Sequence, residues 1–181
     1  FRKTFHALSS PKHFVKMRFT SIPLIFCLIA LVCVIASVPE LPQKFLKSWS
    51  VDHSENFDEY LEAKGYGWFM RQVVKLAGIT KTFSKNENGT YACKIETTKK
   101  NVEWPSFKLG EEFQAEYLDD SVHKITFDYN PTTDELIETH KNVDSEEKPD
   151  IYKYNIDSDG FLVMHMEYNG VKTKRFYKKN E

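Results

Sequence analysis

The chain has 181 residues, 41% of them hydrophobic and 14% aromatic, which is too apolar for a disordered segment and enough for one domain with its own core. Its 25 Lys and Arg face 26 Asp and Glu, but residues 1–36 hold five of the basic residues (Arg2, Lys3, Lys12, Lys16, Arg18) and no acid, so residues 37–181 carry (25 − 5) − 26 = −6. An acidic body with no basic cluster excludes nucleic acid as a partner.

Residues 22–36, "IPLIFCLIALVCVIA", carry no charge, follow Lys16 and Arg18, and end in Val34-Ile35-Ala36. This is the pattern of a secretory signal; a spanning helix needs about 20 apolar residues. Residues 17–36, opening at Met17, are therefore expected to be a signal peptide, residues 1–16 an upstream extension, and residues 37–181 a secreted, extracellular domain. Cys27 and Cys33 fall in the signal, so Cys93 is left without an internal disulfide partner and the domain must rest on its core.

Two helical patterns come next. In "NFDEYLEAKG" the apolar residues Phe57, Tyr60 and Leu61 recur at i, i+3, i+4, with Asn56 as N-cap and Gly65 as terminator. In "WFMRQVVKLAG" Phe69, Val73 and Leu76 recur at i, i+4, i+7, ending at Gly78. From there the period becomes two, broken by Asn88-Gly89, Asn130-Pro131, Asp159-Gly160 and Asn169-Gly170. With "KFLKSWSVD" before the helices this makes about ten strands, and short hairpin-linked strands predict an all-β fold: an antiparallel up-and-down barrel or clam, whose closure removes exposed edges.

The last strand, "VKTKRFYKK", puts Val171, Thr173, Arg175 and Tyr177 on one face and Lys172, Lys174, Phe176 and Lys178 on the other. If the lysines face water, Arg175 faces inward, where a guanidinium wants an anion or ordered water. "DIYKYNID" can likewise turn tyrosines inward. The interior is expected to be a hydrated cavity rather than a dry core. His53, His123, His140 and His165 show no ligand spacing, and there is no nucleophile elbow or phosphate loop, so neither an enzyme, a metal nor a cofactor is expected.

"SENFDEYLEAKGYGWFMRQVVKLAG", "SFKLGEEF", "LDDSVHKITF" and "GVKTKRFYKK" stand in the order and spacing of the fatty-acid-binding proteins, and the resemblance covers Lys44 to Lys179. The signal, "GYGWFMRQ" and the lengthened "TTKKNVEWPSF" resemble the secreted nematode branch. The resemblance implies a ten-stranded barrel under a helix-turn-helix lid, a cavity for one fatty acid or similar lipid, and a carboxylate site at Arg175 and Tyr177. It further implies that Phe57, Tyr60 and Leu61 line the cavity under the first helix, with Met70 on the second, Asp119 at the acidic turn, and Met164 and Met166 on the ninth strand. Where many members have a second internal arginine this chain offers Tyr154, or Asn155 if the turn lacks an insertion.

At the expected portal, Trp68 is either lid core or an exposed membrane contact. Lys99 and Lys100, with Trp104, are either an ordinary charged loop or a surface that meets anionic membrane transiently. Asn88-Gly89-Thr90 is an N-glycosylation sequon on a hairpin turn. The expected protein is a monomeric carrier; the alternative is an extracellular interaction scaffold whose barrel does not carry lipid as its main role.

Overall fold

The computed structural model describes residues 39–181; the expected signal segment 17–36 and the extension before it lie outside the described residues. In chain order the elements are β1 (Ser48–Glu55), α1 (Phe57–Ala63), α2 (Trp68–Leu76), β2 (Ile79–Lys85), β3 (Tyr91–Thr97) and β4 (Val102–Phe107), then β5 (Phe113–Glu116), β6 (Val122–Asn130), β7 (Glu135–Asn142), β8 (Asp150–Ile156), β9 (Leu162–Tyr168) and β10 (Val171–Lys179).

The ten strands form one antiparallel sheet in the order β4-β3-β2-β1-β10-β9-β8-β7-β6-β5. Because β1 pairs with both β2 and β10, the two ends of the described domain lie side by side, and only β4 and β5 remain as edges. Side chains close that gap. Trp104 Nε1 donates to the Glu116 carbonyl at 3.3 Å, and the Phe107 and Phe113 rings stack with centroids 5.6 Å apart. The result is the expected nearly closed barrel, with tight connections where the sequence places them: Asn169 and Gly170 both take positive φ (49° and 83°), the backbone of a type I′ hairpin.

Alternation along the strands sets what lies inside. Phe83, Ile95, Ile125, Phe127, Leu136 and Leu162 are almost wholly buried, and Phe107, Phe113 and Phe127 stack on one another beside the β4–β5 gap. Away from the helices, residues 41–47 plug the barrel: Phe45 is fully buried against Tyr129, its carbonyl accepts from Trp49 Nε1 at 3.1 Å, and the Leu41 amide donates to the Tyr91 hydroxyl at 3.0 Å.

The helices cover the other end, and here the structure departs from the sequence reading. Helix α1 buries Phe57, Tyr60 and Leu61 as expected, and Gly65 (φ 86°) follows it. Asn56, expected as a side-chain cap, is instead left-handed (φ 54°) and spends its Nδ2 on the Lys172 carbonyl at 2.7 Å, tying the helix start to β10. Helix α2 buries none of its residues. Arg71 pairs with Asp58 and Glu62 at 3.2 and 3.1 Å, and Lys75 with Asp58 at 3.1 Å, so α2 docks on α1 by its charged side. The periodic stripe Phe69, Val73, Leu76 is consequently exposed at 69%, 46% and 86%.

Candidate functional site

Strand β10 places Thr173, Arg175 and Tyr177 on its buried face and Lys172, Lys174 and Lys178 in solvent. Arg175 is thus an inward arginine, 5% exposed. Its guanidinium carbon lies 4.4 Å from the Phe57 ring centroid and 5.9 Å from that of Tyr177, and its Nε donates to the Ser54 hydroxyl at 3.3 Å. These are cation–π and neutral contacts; no carboxylate among the described residues pairs with it. Ser54 reaches Arg175 because β1 bulges between Val51 and His53, advancing its register against β10 by one residue. A concavity of about 350 Å³ between the end of β1 and α1 opens onto the same arginine.

Tyr177, 1% exposed, donates its hydroxyl to Met164 Sδ at 3.5 Å, and Met164 and Met166 are buried on the inward face of β9 beside it. Phe57, Tyr60 and Leu61 roof this region from α1. Burial, then the Asp150 carboxylate, pushes the Tyr60 phenol well above its usual range, so it stays neutral.

A second polar group occupies the interior, and the sequence reading did not single it out. Lys81 on β2 donates from Nζ to Glu138 Oε2 on β7 at 3.0 Å and to the Tyr154 hydroxyl on β8 at 2.5 Å. The Tyr154 hydroxyl in turn donates to Glu138, and His140 Nε2 lies 2.5 Å from the other carboxylate oxygen. Lys81, Glu138, His140 and Tyr154 are all buried, at 3%, 0%, 2% and 0% exposure. Burial works to raise the Glu138 pKa, but Lys81, His140 and Tyr154 outweigh it and hold the carboxyl far below its ordinary range. Burial likewise works to lower the Lys81 pKa, and Glu138 reverses that. Both groups are therefore ionised. The signal that could have found them is the parity that found Arg175: Ile79, Lys81, Phe83 share one face of β2, and Leu136, Glu138, His140 one face of β7. Tyr154 does point inward as expected, but its hydroxyl is engaged by Glu138 rather than free.

Several sequence-predicted positions do not join this site. Met70 is 47% exposed on α2, not lining the interior, for the reason that turns the whole helix outward. Asp119 sits in the β5–β6 turn, half-exposed, where its oxygens accept from Ser121 Oγ at 2.7 Å and lie 3.1 Å from His123 Nε2; burial raises its pKa, but these bonds together lower it. Trp104, expected at a membrane-facing surface, is 3% exposed and packs between Phe113, Tyr117 and Phe127, because it is the side chain that closes the β4–β5 gap. Lys100 is neutralised by Glu116 and Asp120 at 2.5 and 2.6 Å and donates to the Tyr117 carbonyl at 2.9 Å, stapling the β3–β4 turn to the β5–β6 turn. Lys99 stays in solvent, and Trp68, left open by the sequence, is 69% exposed. Asn88 lies exposed in the β2–β3 turn, at the end of the barrel away from the helices.

Among the described residues no three His, Cys, Asp or Glu side chains gather as metal ligands. A further concavity of about 890 Å³ lies along β8–β10 among charged side chains such as Lys153, Glu167 and Lys174; neither Arg175 nor Glu138 lines it.

No family model matches the chain. A fatty acid-binding protein homolog of Ascaris suum is 48% identical over 163 residues, covering 84% of this chain and 98% of that protein. Fatty acid-binding protein homolog 4 of Caenorhabditis elegans is 42% identical over 144 residues, covering 78% and 97%. The solved structure of As-p18, an extracellular fatty acid binding protein, superposes with a TM-score of 0.74 at 48% identity, covering 78% of this chain and all of that one. These relatives are binding proteins, not enzymes, and so is this chain. On fold, on the order of its elements and on these identities, it belongs to the fatty-acid-binding protein family, in its nematode-type branch.

Proposed function

We propose that the protein is an extracellular carrier that holds a fatty acid inside the barrel, its carboxylate on Arg175 and Tyr177 and its tail against Phe57, Tyr60, Leu61, Met164 and Met166. The observation that carries this reading is the inward Arg175 without a carboxylate partner among the described residues, roofed by the apolar residues of α1. A buried guanidinium left without an anion is costly, so the site favours a ligand that brings one. The tail supplies most of the affinity: about 15 methylenes at ~0.8 kcal/mol each are worth roughly 12 kcal/mol before ligand ordering is subtracted. The arginine fixes orientation and selects charge.

The same reading makes residues 17–36 a cleaved signal, Asn88 a glycan site that leaves the lid end free, and the carrier a monomer. Lipid enters and leaves at the lid. There α2 turns Trp68, Phe69, Val73 and Leu76 outward while Arg71 and Lys75 are tied to α1, and this apolar face, rather than Lys100 and Trp104, makes the transient membrane contact.

Arg175→Leu tests the head-group assignment. Loss of a charge-assisted bond should weaken a fatty acid by about 1.5–3 kcal/mol, while the corresponding alcohol changes little. Equal weakening of acid and alcohol in equilibrium titrations would remove Arg175 from the head-group site.

A further inference from the structure

The bridge Lys81–Glu138 spans the barrel interior. Its two residues stand on β2 and β7, which are five strands apart around the sheet (β2-β1-β10-β9-β8-β7), so the contact crosses the lumen rather than running along its wall. Tyr154 reaches the same point from β8. Holding two charges out of water in this way adds little to stability, since an apolar pair of similar volume would serve the packing as well. The arrangement has a different chemical character: an ammonium, a phenol and an imidazole converge on one carboxylate. It is a carboxylate-recognition site filled by the protein's own Glu138.

We infer that the Lys81–Glu138 pair sets the charge preference of the lumen: Glu138 withholds Lys81 from the ligand, so that Arg175 is the cation left for the head group. This rests on the head-group reading of Arg175 above. With both members present their charges cancel, and the interior offers one uncompensated positive charge, suited to a lipid whose head carries a single negative charge. Without Glu138, Lys81 is left buried without its anion, and an incoming fatty carboxylate becomes the group that holds it charged, at a site where the field is little screened. Without Lys81, Glu138 keeps only Tyr154 and His140, and its charge, no longer balanced by an ammonium, disfavours an incoming acid.

The test is the ratio of dissociation constants, 1-hexadecanol over hexadecanoic acid, by displacement of a neutral fluorescent probe. Relative to the unsubstituted chain, Glu138→Gln should raise this preference for the acid about tenfold and Lys81→Met should lower it about tenfold, as one charge is unmasked or removed at short range. The double variant should return to within about threefold of the starting ratio, because both charges are gone. Affinity lost through altered packing moves acid and alcohol together and leaves the ratio unchanged. Should Lys81→Met fail to fold, Glu138→Gln and the double variant carry the test. A ratio unmoved in Glu138→Gln, or lowered by it, overturns the inference. Arg175→Leu in the unsubstituted background separates the two readings: if it abolishes the acid preference while Glu138→Gln does nothing, the head-group site stands and the tuning pair falls. If Arg175→Leu leaves the preference intact, the head-group reading on which the pair's role rests falls as well.

Discussion

A buried carboxylate held by three donors has a consequence for stability as well as for binding. The Glu138 carboxyl is held far below its ordinary range despite burial, by Lys81, His140 and Tyr154. A group with a depressed folded-state pKa contributes its full stabilisation above the unfolded value, about 4.3 for glutamate, and loses it as pH falls toward the folded value. As pH falls below about 4.3 this one residue should therefore cost stability progressively, because the unfolded chain takes up its proton while the folded chain does not. Urea denaturation at successive pH values should show Glu138→Gln less stable at pH 7 but with a flatter acid limb; parallel acid limbs would mean that the network does not hold the charge. Arg175 and Tyr177 were legible from one strand, since solvent-facing lysines alternate with them. Lys81 and Glu138 obeyed the same parity but were not singled out, because each is an ordinary surface residue type and only the closed barrel shows that β2 and β7 face one another.

Helix α2 shows how an element can be found and its facing missed. Its apolar period was plain in "WFMRQVVKL", but which side packs is decided elsewhere, by Asp58 and Glu62 of α1, which bind Arg71 and Lys75. The outcome is a helix with no buried residue and an aromatic and aliphatic face in solvent. Replacing Trp68, Phe69 and Leu76 together with serine should leave stability within about 0.5 kcal/mol, since nothing is unpacked. It should nonetheless slow transfer of a fluorescent fatty acid to vesicles about tenfold, with the unsubstituted rate rising with vesicle concentration, because each side chain inserts apolar area into the interface. A transfer rate indifferent to vesicle concentration would place ligand loss in water and leave α2 without that role. At the neighbouring turns the sequence misled for the opposite reason. Lys100 and Trp104 read as a cationic aromatic patch, but in three dimensions they face Glu116, Asp120 and the β4–β5 gap, whose residues lie 12 to 20 positions further along the chain.

For the molecule as a whole, closure joins these parts. The sheet leaves two short edges, β4 and β5, sealed by Trp104, Phe107 and Phe113, while residues 41–47 block one end and α1 roofs the other. What remains inside is polar where a packed barrel would be apolar: Arg175 near the lid, and the Lys81–Glu138 bridge across the lumen. The central claim is that a fatty carboxylate is buried against Arg175 in its ionised form. The most direct measurement is ¹³C NMR of hexadecanoic acid labelled at its carboxyl carbon, bound to the protein and followed as pH falls from 7 to 3. A carboxylate on Arg175 should hold its ionised chemical shift through the ordinary carboxylate range of about 4 and lose that protection in Arg175→Leu. A bound carboxyl that titrates in the ordinary range with Arg175 intact would contradict the account, for its head group would then lie in solvent.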